Sequence, residues 1–490
     1  MRSTTYLTAA ACTAAVLAVT GLSPATAAPA SPAAPAAPAA PAKPVAKDAA
    51  DFNGDGYADL AIGAPRATVN GLKGAGLVSV VYGSPTGLRF DKQQLISRAT
   101  PGIPGEPHAS EGGWGVRATH GDLDADGYDD LLLGTGTGDD LVLWGGKSGI
   151  SGGITLPRGA GTTESPRTGG AGGGIGDVNG DGKDDLVRAA SAAKSPTPFA
   201  GVLIQYGPLA RATGKPASTL VRNTRAKDGI HVRAVSVGDV TGDGTADIVG
   251  AGIAGDDPNG PRSAVVLKGT PTGPVPGGTL KDVAFGVEFG DINADGYRDM
   301  VTRSWAVTTP RDSGGIKVHY GGPDGLSKTL PGRRYDQNTA GVPGVNEKYD
   351  RFGTDVTLGD VDHDGYADIV VGVPFESGTE ATTSGAGAIT VLRGSRTGVT
   401  TTGAESFTQN SAGIPSTSEK SDHFGQALTL LDADKDGKPE LYVGGHGEDD
   451  WAGRVWQLQT GATGLTGTGA TSFSPGGGYG GAHFGEWFGK

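Results

Sequence analysis

The chain has 490 residues, with 88 Gly, 31 Pro and a formal net charge of −13. Abundant Gly and Pro with few aromatics exclude a long-helix architecture and suit short strands joined by tight turns. An acidic chain without a basic face excludes nucleic acid as a partner.

Arg2 is followed by an apolar stretch from Tyr6 to Leu22 and by Ala25-Thr26-Ala27, small residues suited to leader cleavage. This predicts a signal peptide over 1–28 and a secreted, extracellular protein. The one cysteine, Cys12, lies inside the leader, so the exported chain has no disulfide and no thiolate-bound metal. Pro29 to Lys47 is almost entirely Ala and Pro, which predicts an extended linker over 29–48 ahead of a repeat domain over 49–490. Beyond the leader, no segment is long and apolar enough to span a membrane as a helix.

From Asp51 onward the pattern D-x-[D/N/T]-x-D-G-x-x-[D/E] occurs seven times, at intervals of 52 to 72 residues. Such a period means one supersecondary unit copied seven times. Loop positions 1, 3, 5 and 9 hold 24 of the 53 Asp and Glu residues. Alternating acids in a tight turn aim successive carboxylates at one centre, which suits calcium with its six to eight oxygen ligands better than magnesium with its stricter octahedron. The expected ligands are therefore four side chains and the carbonyl of position 7. In the first loop these are Asp51, Asn53, Asp55, Asp59 and the Tyr57 carbonyl; in the second, Asp122, Asp124, Asp126, Asp130 and Tyr128. The third offers Asp177, Asn179, Asp181, Asp185 and Lys183; the fourth, Asp239, Thr241, Asp243, Asp247 and Thr245. The fifth has Asp291, Asn293, Asp295, Asp299 and Tyr297; the sixth, Asp360, Asp362, Asp364, Asp368 and Tyr366; the seventh, Asp432, Asp434, Asp436, Glu440 and Lys438. Up to seven structural calcium ions are expected, with the Thr241 loop the weakest. Position 12 is apolar in the best copies, Ile62 and Val371, so these are not helix-loop-helix calcium loops. The sixth residue is Gly throughout, which permits the sharp turn.

Behind each loop an apolar run too short for a buried helix predicts a strand, as at Leu60-Ala61-Ile62 and Ile369-Val370-Val371. A second run ahead of a Gly-rich turn completes a hairpin, as at Leu77–Tyr82 and Ile389–Leu392. Trp114-Gly115, Phe352-Gly353 and Phe424-Gly425 stand eight residues before a loop Asp. The first loop has no such pair ahead of it, whereas Phe484-Gly485 near the C-terminus has no loop behind it. The two ends thus read as halves of one unit. A closed ring removes the exposed strand edges that an open stack would leave. The predicted fold is an all-β, seven-bladed β-propeller closed by pairing of N- and C-terminal strands in one blade.

The aromatic-Gly pair, the nine-residue loop and the following Gly63-Ala64-Pro65 or Gly372-Val373-Pro374 resemble the FG-GAP repeats of the integrin α-subunit head. Copies three to five depart from the pattern, with Gly169, His231 and Val283 where the aromatic would stand. The resemblance implies calcium loops on one face and ligand recognition on the other. It also implies kinship with exported bacterial surface or matrix-binding modules, and with lectins and propellers that accompany lyase or phospholipase activity. Fold analogy alone does not choose among these.

A chain spent on repeats favours a monomeric extracellular binding or adhesion module for a protein or polysaccharide ligand. Trp114, Trp305, Trp451 and Trp487 are candidate stacking residues on the face away from the loops. The alternative is an extracellular hydrolase or polysaccharide lyase, with His120, His319 or His423 as a base; no catalytic residue is assigned. Gly149-Ile150-Ser151-Gly152-Gly153 matches a nucleophile-elbow string, but a sequence this rich in Gly yields about one match by chance, and it follows a strand within a turn.

Overall fold

Each ninth loop residue hands the chain to a strand, because the apolar run that follows can be buried only in extended form. In the computed structural model the described residues are 49–109, 114, 117–134, 140–156, 173–192, 199–257, 260–283, 286–304, 312–377, 384–475 and 480–490. The leader, the linker, Gly115, Gly169 and Trp305 lie outside them.

The strands form seven antiparallel sheets, each made from a contiguous stretch of chain. The second blade orders Ala118–Gly121, Asp130–Gly134, Asp140–Leu143 and Gly153–Thr155; the sixth orders Val356–Gly359, Asp368–Val373, Ala388–Arg393 and Thr400–Phe407. The seventh orders Ala427–Leu431, Glu440–Gly445, Arg454–Gly461 and Gly464–Phe473. Among the described residues only the first blade has three strands of its own, Leu60–Ala64, Leu77–Val81 and Gln94–Ile96. Its missing inner strand is supplied by the tail. Phe488 bridges Ile62, the Gly63 amide donates to the Trp487 carbonyl at 3.0 Å, and the Gly489 amide donates to the Ala61 carbonyl at 2.9 Å. The structure is the expected seven-bladed β-propeller, closed head to tail. Helix is confined to Thr224–Asp228, Glu448–Trp451 and a 3-10 turn at Phe90–Lys92 among the described residues.

The core lies in wedges between blades. In the second strand of the sixth blade, Ile369 and Val371 pack with Val301, Ile316 and Phe352, whereas Val370 between them packs with Phe424, Leu441 and Trp456. Successive strand residues point to opposite faces, and both faces of a blade are covered by neighbours. The strands therefore read as unbroken apolar runs. The inner strands surround a cavity of about 830 Å³. Lys490 reaches into it, its Nζ donating to Asp355 Oδ1 at 2.9 Å and to the Val356 carbonyl at 2.8 Å, which pins the closing strand across the ring.

Candidate metal centres

Every acidic loop connects the inner strand of a blade to its second strand, or in the first blade precedes that second strand. One hydrogen-bond scheme recurs in all seven. Oδ2 of the first Asp accepts from the amide of the sixth-position Gly, at 2.7–3.0 Å. Oδ1 of the fifth Asp accepts from the amide of position 7, at 2.8–3.1 Å. The sixth-position Gly has φ between 82° and 92° in every copy, a conformation that costs an L-residue about 1 kcal/mol or more. Position 4 is left-handed as well, including Ala125, Ala294, His363 and Lys435, where the sequence carried no glycine signal.

The ninth residue does more than close the loop. One carboxylate oxygen accepts from the amide of position 2, as in Phe52 to Asp59 and Leu123 to Asp130. The other accepts from a glycine amide in the next hairpin of the same blade: Gly83, Gly145, Gly207, Gly269, Gly321 and Gly394 donate to Asp59, Asp130, Asp185, Asp247, Asp299 and Asp368 at 2.8–2.9 Å. The seventh copy departs. Glu440 is one methylene longer and lies 3.5 Å from the Ala433 amide.

Burial drives these carboxyls far above the usual acid range, assisted by the other loop acids. Asp59 and Asp130 are pushed up to about 8, Asp185, Asp299 and Glu440 to about 7, and Asp247 and Asp368 to about 6. An acid set that resists ionising by itself is one that a cation would relieve. Three loops bring three carboxylates within 4.8 Å of one another: Asp122, Asp124 and Asp130; Asp360, Asp362 and Asp368; Asp432, Asp434 and Asp436. These are the loops with Asp at position 3. In the seventh the convergent third acid is position 5, consistent with the displaced Glu440. Thr241 turns its hydroxyl toward Asp239 Oδ1 at 3.4 Å and its amide to Asp247 at 2.9 Å. The donor set is all oxygen and fits a hard divalent cation.

Two arginines that the sequence reading missed stand against these acids. Arg211 Nη1 lies 3.1 Å from Asp124 and also pairs with Asp126; Arg393 Nη1 lies 3.2 Å from Asp368 and 3.4 Å from Asp362. Neither belongs to the loop it serves, so the loop motif gave no signal.

Neighbouring loops are also laced together. Asp129, Ala246 and Ala367, each at position 8, donate their amides to the first-position carbonyls of Asp51, Asp177 and Asp291 in the preceding loops. Lys435 of the seventh loop stands over the Tyr57 ring of the first at 5.4 Å, a contact across the closure of the ring.

The candidate aromatics divide sharply. Trp114 is fully buried and Trp487 is 9% exposed, so neither is available for stacking on a ligand. Both are wedge residues, and Trp487 lies so close to Gly63 that a Cβ there would come within 2.0 Å of its ring. Trp451, at 39% exposure, remains on the surface. Of the histidines, His120 faces the central cavity with Nδ1 3.5 Å from Asp129, and His319 is pushed down to about 4 by burial. Ser151 sits in a tight turn, its amide donating to the Trp144 carbonyl at 2.8 Å, and not at a strand-to-helix elbow.

The sequence profile of the FG-GAP repeat matches residues 48–81 and 352–392. These segments hold the first and sixth loops with their following strands. A stretch of 96 residues is 36% identical to Integrin alpha-PS2 of Drosophila melanogaster, covering 19% of this chain and 6% of that protein. With seven closed blades and seven loops, the chain is an FG-GAP-repeat β-propeller of the integrin alpha-like kind. Solved structures with some likeness include BBS1N in complex with ARL6DN, at 12% identity over 73% of this chain and 80% of that one, TM-score 0.38. Another is the rhamnogalacturonan lyase YesW, at 12% identity over 86% and 69%, TM-score 0.36. At such overlap neither informs the chemistry of this chain.

Proposed function

We propose that the protein is a secreted, monomeric β-propeller braced by up to seven calcium ions, and that it works as an extracellular binding or adhesion module for a protein or glycan ligand. The leader over 1–28 would direct export and the linker over 29–48 would hold the propeller, residues 49–490, away from its point of attachment. The ligands would be the loop residues set out above, including the carbonyls of Tyr57, Tyr128, Lys183, Thr245, Tyr297, Tyr366 and Lys438. Bound calcium would supply positive charge and fixed coordination to the loops.

The observation that carries this reading is the sameness of the seven loops. Each spends its first and fifth acids on its own backbone, six of the seven do the same with the ninth, and three neighbouring pairs of loops are tied amide to carbonyl. Repeated, cross-linked sites suit bracing of a scaffold, leaving recognition to surfaces that differ from blade to blade. Similarity to an integrin alpha chain supports a protein ligand and an extracellular setting. No helix among the described residues is long and apolar enough to cross a membrane.

The test is a glycan array and a cell-wall and matrix-protein pull-down with purified protein, with calcium and with chelator. Calcium-dependent retention on one ligand class is expected. Retention on none, or shortening of a retained polysaccharide with release of reducing or unsaturated ends, would displace the binding reading.

A further inference from the structure

Where the sixth, seventh and first blades meet, at the end of the hairpin away from the acidic loop, three histidines gather. His423 precedes the inner strand of the seventh blade, His446 follows its second strand, and His483 belongs to the tail that closes the first blade. His423 Nδ1 and His446 Nε2 are 3.3 Å apart. The pair is within hydrogen-bond reach, slightly beyond the span of about 2.7–3.2 Å usual for N–H···O. Two imidazole nitrogens sharing one tetrahedral ion on bonds of 2.0–2.1 Å are separated by about 3.3–3.4 Å.

His446 is 8% exposed; its Nε2 faces His423, and its buried Nδ1, on the other side of the ring, has no hydrogen-bond partner among the described residues. The third ring is better supported. His483 pairs through Nδ1 with Glu486 Oε2 at 3.0 Å. A carboxylate on one ring nitrogen holds the proton there and leaves Nε2 with its lone pair free, the arrangement commonly found behind metal-bound histidines. The His483 ring lies 5.1 Å from that of His446 and stacks on Trp451 at 5.0 Å, with 23° between planes. Trp451 in turn meets His423 at 5.4 Å and His446 at 5.5 Å, so an indole lies beside all three rings. Asp449, Asp450 and Trp451 are consecutive left-handed residues, with φ of 52°, 56° and 68°, a strained run that delivers the indole to this place.

We propose that His423 and His446 are two ligands of a transition-metal site for a divalent ion of the zinc class, with His483 as the third. Among the described residues the groups whose ligand atoms already converge within 4.8 Å are acidic, so His483 must turn toward the pair on binding. The choice of ion follows from the donors. Neutral imidazoles suit zinc, nickel or copper, while the oxygen-only loops suit calcium. Burial, then the neighbouring imidazoles, then Arg351 beside His423 and Arg66 beside His446 push these two histidines down to about 4 and about 3, so both are neutral at physiological pH. Those two guanidiniums oppose a bound cation, and Glu486 offsets them. Glu448, Asp449 and Asp450 lie in the adjoining turn.

The experiment titrates the full chain with Co²⁺ and with Zn²⁺ in excess calcium, which keeps the acidic loops filled. One equivalent of Co²⁺ with the visible absorption of a four-coordinate imidazole site is expected, displaced by Zn²⁺. Binding should vanish in H423Q and H446Q, weaken about 10- to 100-fold in E486Q, and persist in H108Q, which alters an exposed histidine. Because substitution at a buried position also tests folding, imidazole ¹⁵N NMR of the unaltered protein gives an independent readout. Zn²⁺ should move His423, His446 and His483 and leave His108 and His231 in place. No binding in excess calcium, binding that survives H423Q with H446Q, or unmoved resonances at positions 423 and 446 would each overturn the assignment.

Discussion

The junctions at the sixth, seventh and first blades close the gap between neighbours with a phenylalanine, and those of the fourth and fifth blades do without one. Phe352, Phe424 and Phe484 are fully buried and bridge Gly314, Gly387 and Gly453, just ahead of the third strand of the preceding blade. The glycine after each turns back on its own blade: the Gly353 amide donates to the Gly372 carbonyl at 2.9 Å and Gly425 to Gly444 at 3.1 Å. One dipeptide thus fastens two sheets. At the fourth blade the same place is taken by the helix Thr224–Asp228, capped by Asn223 Oδ1 and ended by left-handed Gly229. Its buried Thr224 hydroxyl lies 3.2 Å from the Ala200 carbonyl of one blade and 2.7 Å from the Ile230 carbonyl of the next. At the fifth, Val283 fills the wedge. A propeller junction needs a filled wedge and a backbone tie, and either a Phe-Gly pair or a polar helix can supply them. The acidic loops are common to all these blades, so loop and junction are separable parts of the repeat.

The largest expected effect tests that separation. If all seven loops bind calcium as proposed, each independent site would stabilise the fold by about 1.4 kcal/mol at tenfold excess, and chelation would remove a share comparable with the whole stability of a domain. The melting temperature should fall steeply in EDTA, and hydrogen exchange should rise first in the third to fifth blades. A melt unchanged by chelator, or uniform exchange, breaks the comparison.

Next come the wedges themselves. Phe424→Ala should cost about 3–5 kcal/mol and Val283→Ala about 2 kcal/mol, measured by denaturant unfolding with calcium present. Equal losses would mean that the aromatic contributes nothing beyond what valine does.

Single loops rank below that. Asp124→Asn in the second loop should lose up to about 1.4 kcal/mol of the calcium-dependent stability, and Asp239→Asn in the Thr241 loop clearly less. Calorimetric calcium titration of the two variants decides the order.

The smallest effect separates two Phe-Gly junctions. Gln337 Nε2 donates to Glu376 at 2.5 Å, and Gln409 Nε2 to Glu448 at 2.6 Å, and Glu448 also has Arg454 at 3.6 Å. Burial, with Asp350 and Glu347 nearby, pushes Glu376 up to about 7. A carboxyl raised on folding leaves the folded state unpenalised below its unfolded value near 4.5, increasingly penalised as pH climbs from there to about 7, and penalised by a constant amount above that. Glu376→Gln should therefore stabilise the protein by about 1 kcal/mol at pH 8 and leave it unchanged at pH 4, followed by thermal melts. A gain at pH 4 as well would point to packing instead of charge.

Seven blades, seven hairpins and the head-to-tail closure were legible from residues because each depends on short-range spacing. The Asp-Gly turn, the apolar run after it and the stranded Phe484-Gly485 are local signals, and local backbone preference together with burial dictates their form. What only the tertiary structure decided concerns groups brought together from distant segments. Nothing near Trp114 or Trp487 in the chain says that they fill wedges while Trp451 faces outward, because exposure belongs to the packed ring. Arg211 and Arg393 reach loops of other segments, and the Thr224 hydroxyl does the work of a phenylalanine. His483 joins His423 and His446 of the seventh blade only because the last residues of the chain return to the first blade, and ring closure is a property of the whole.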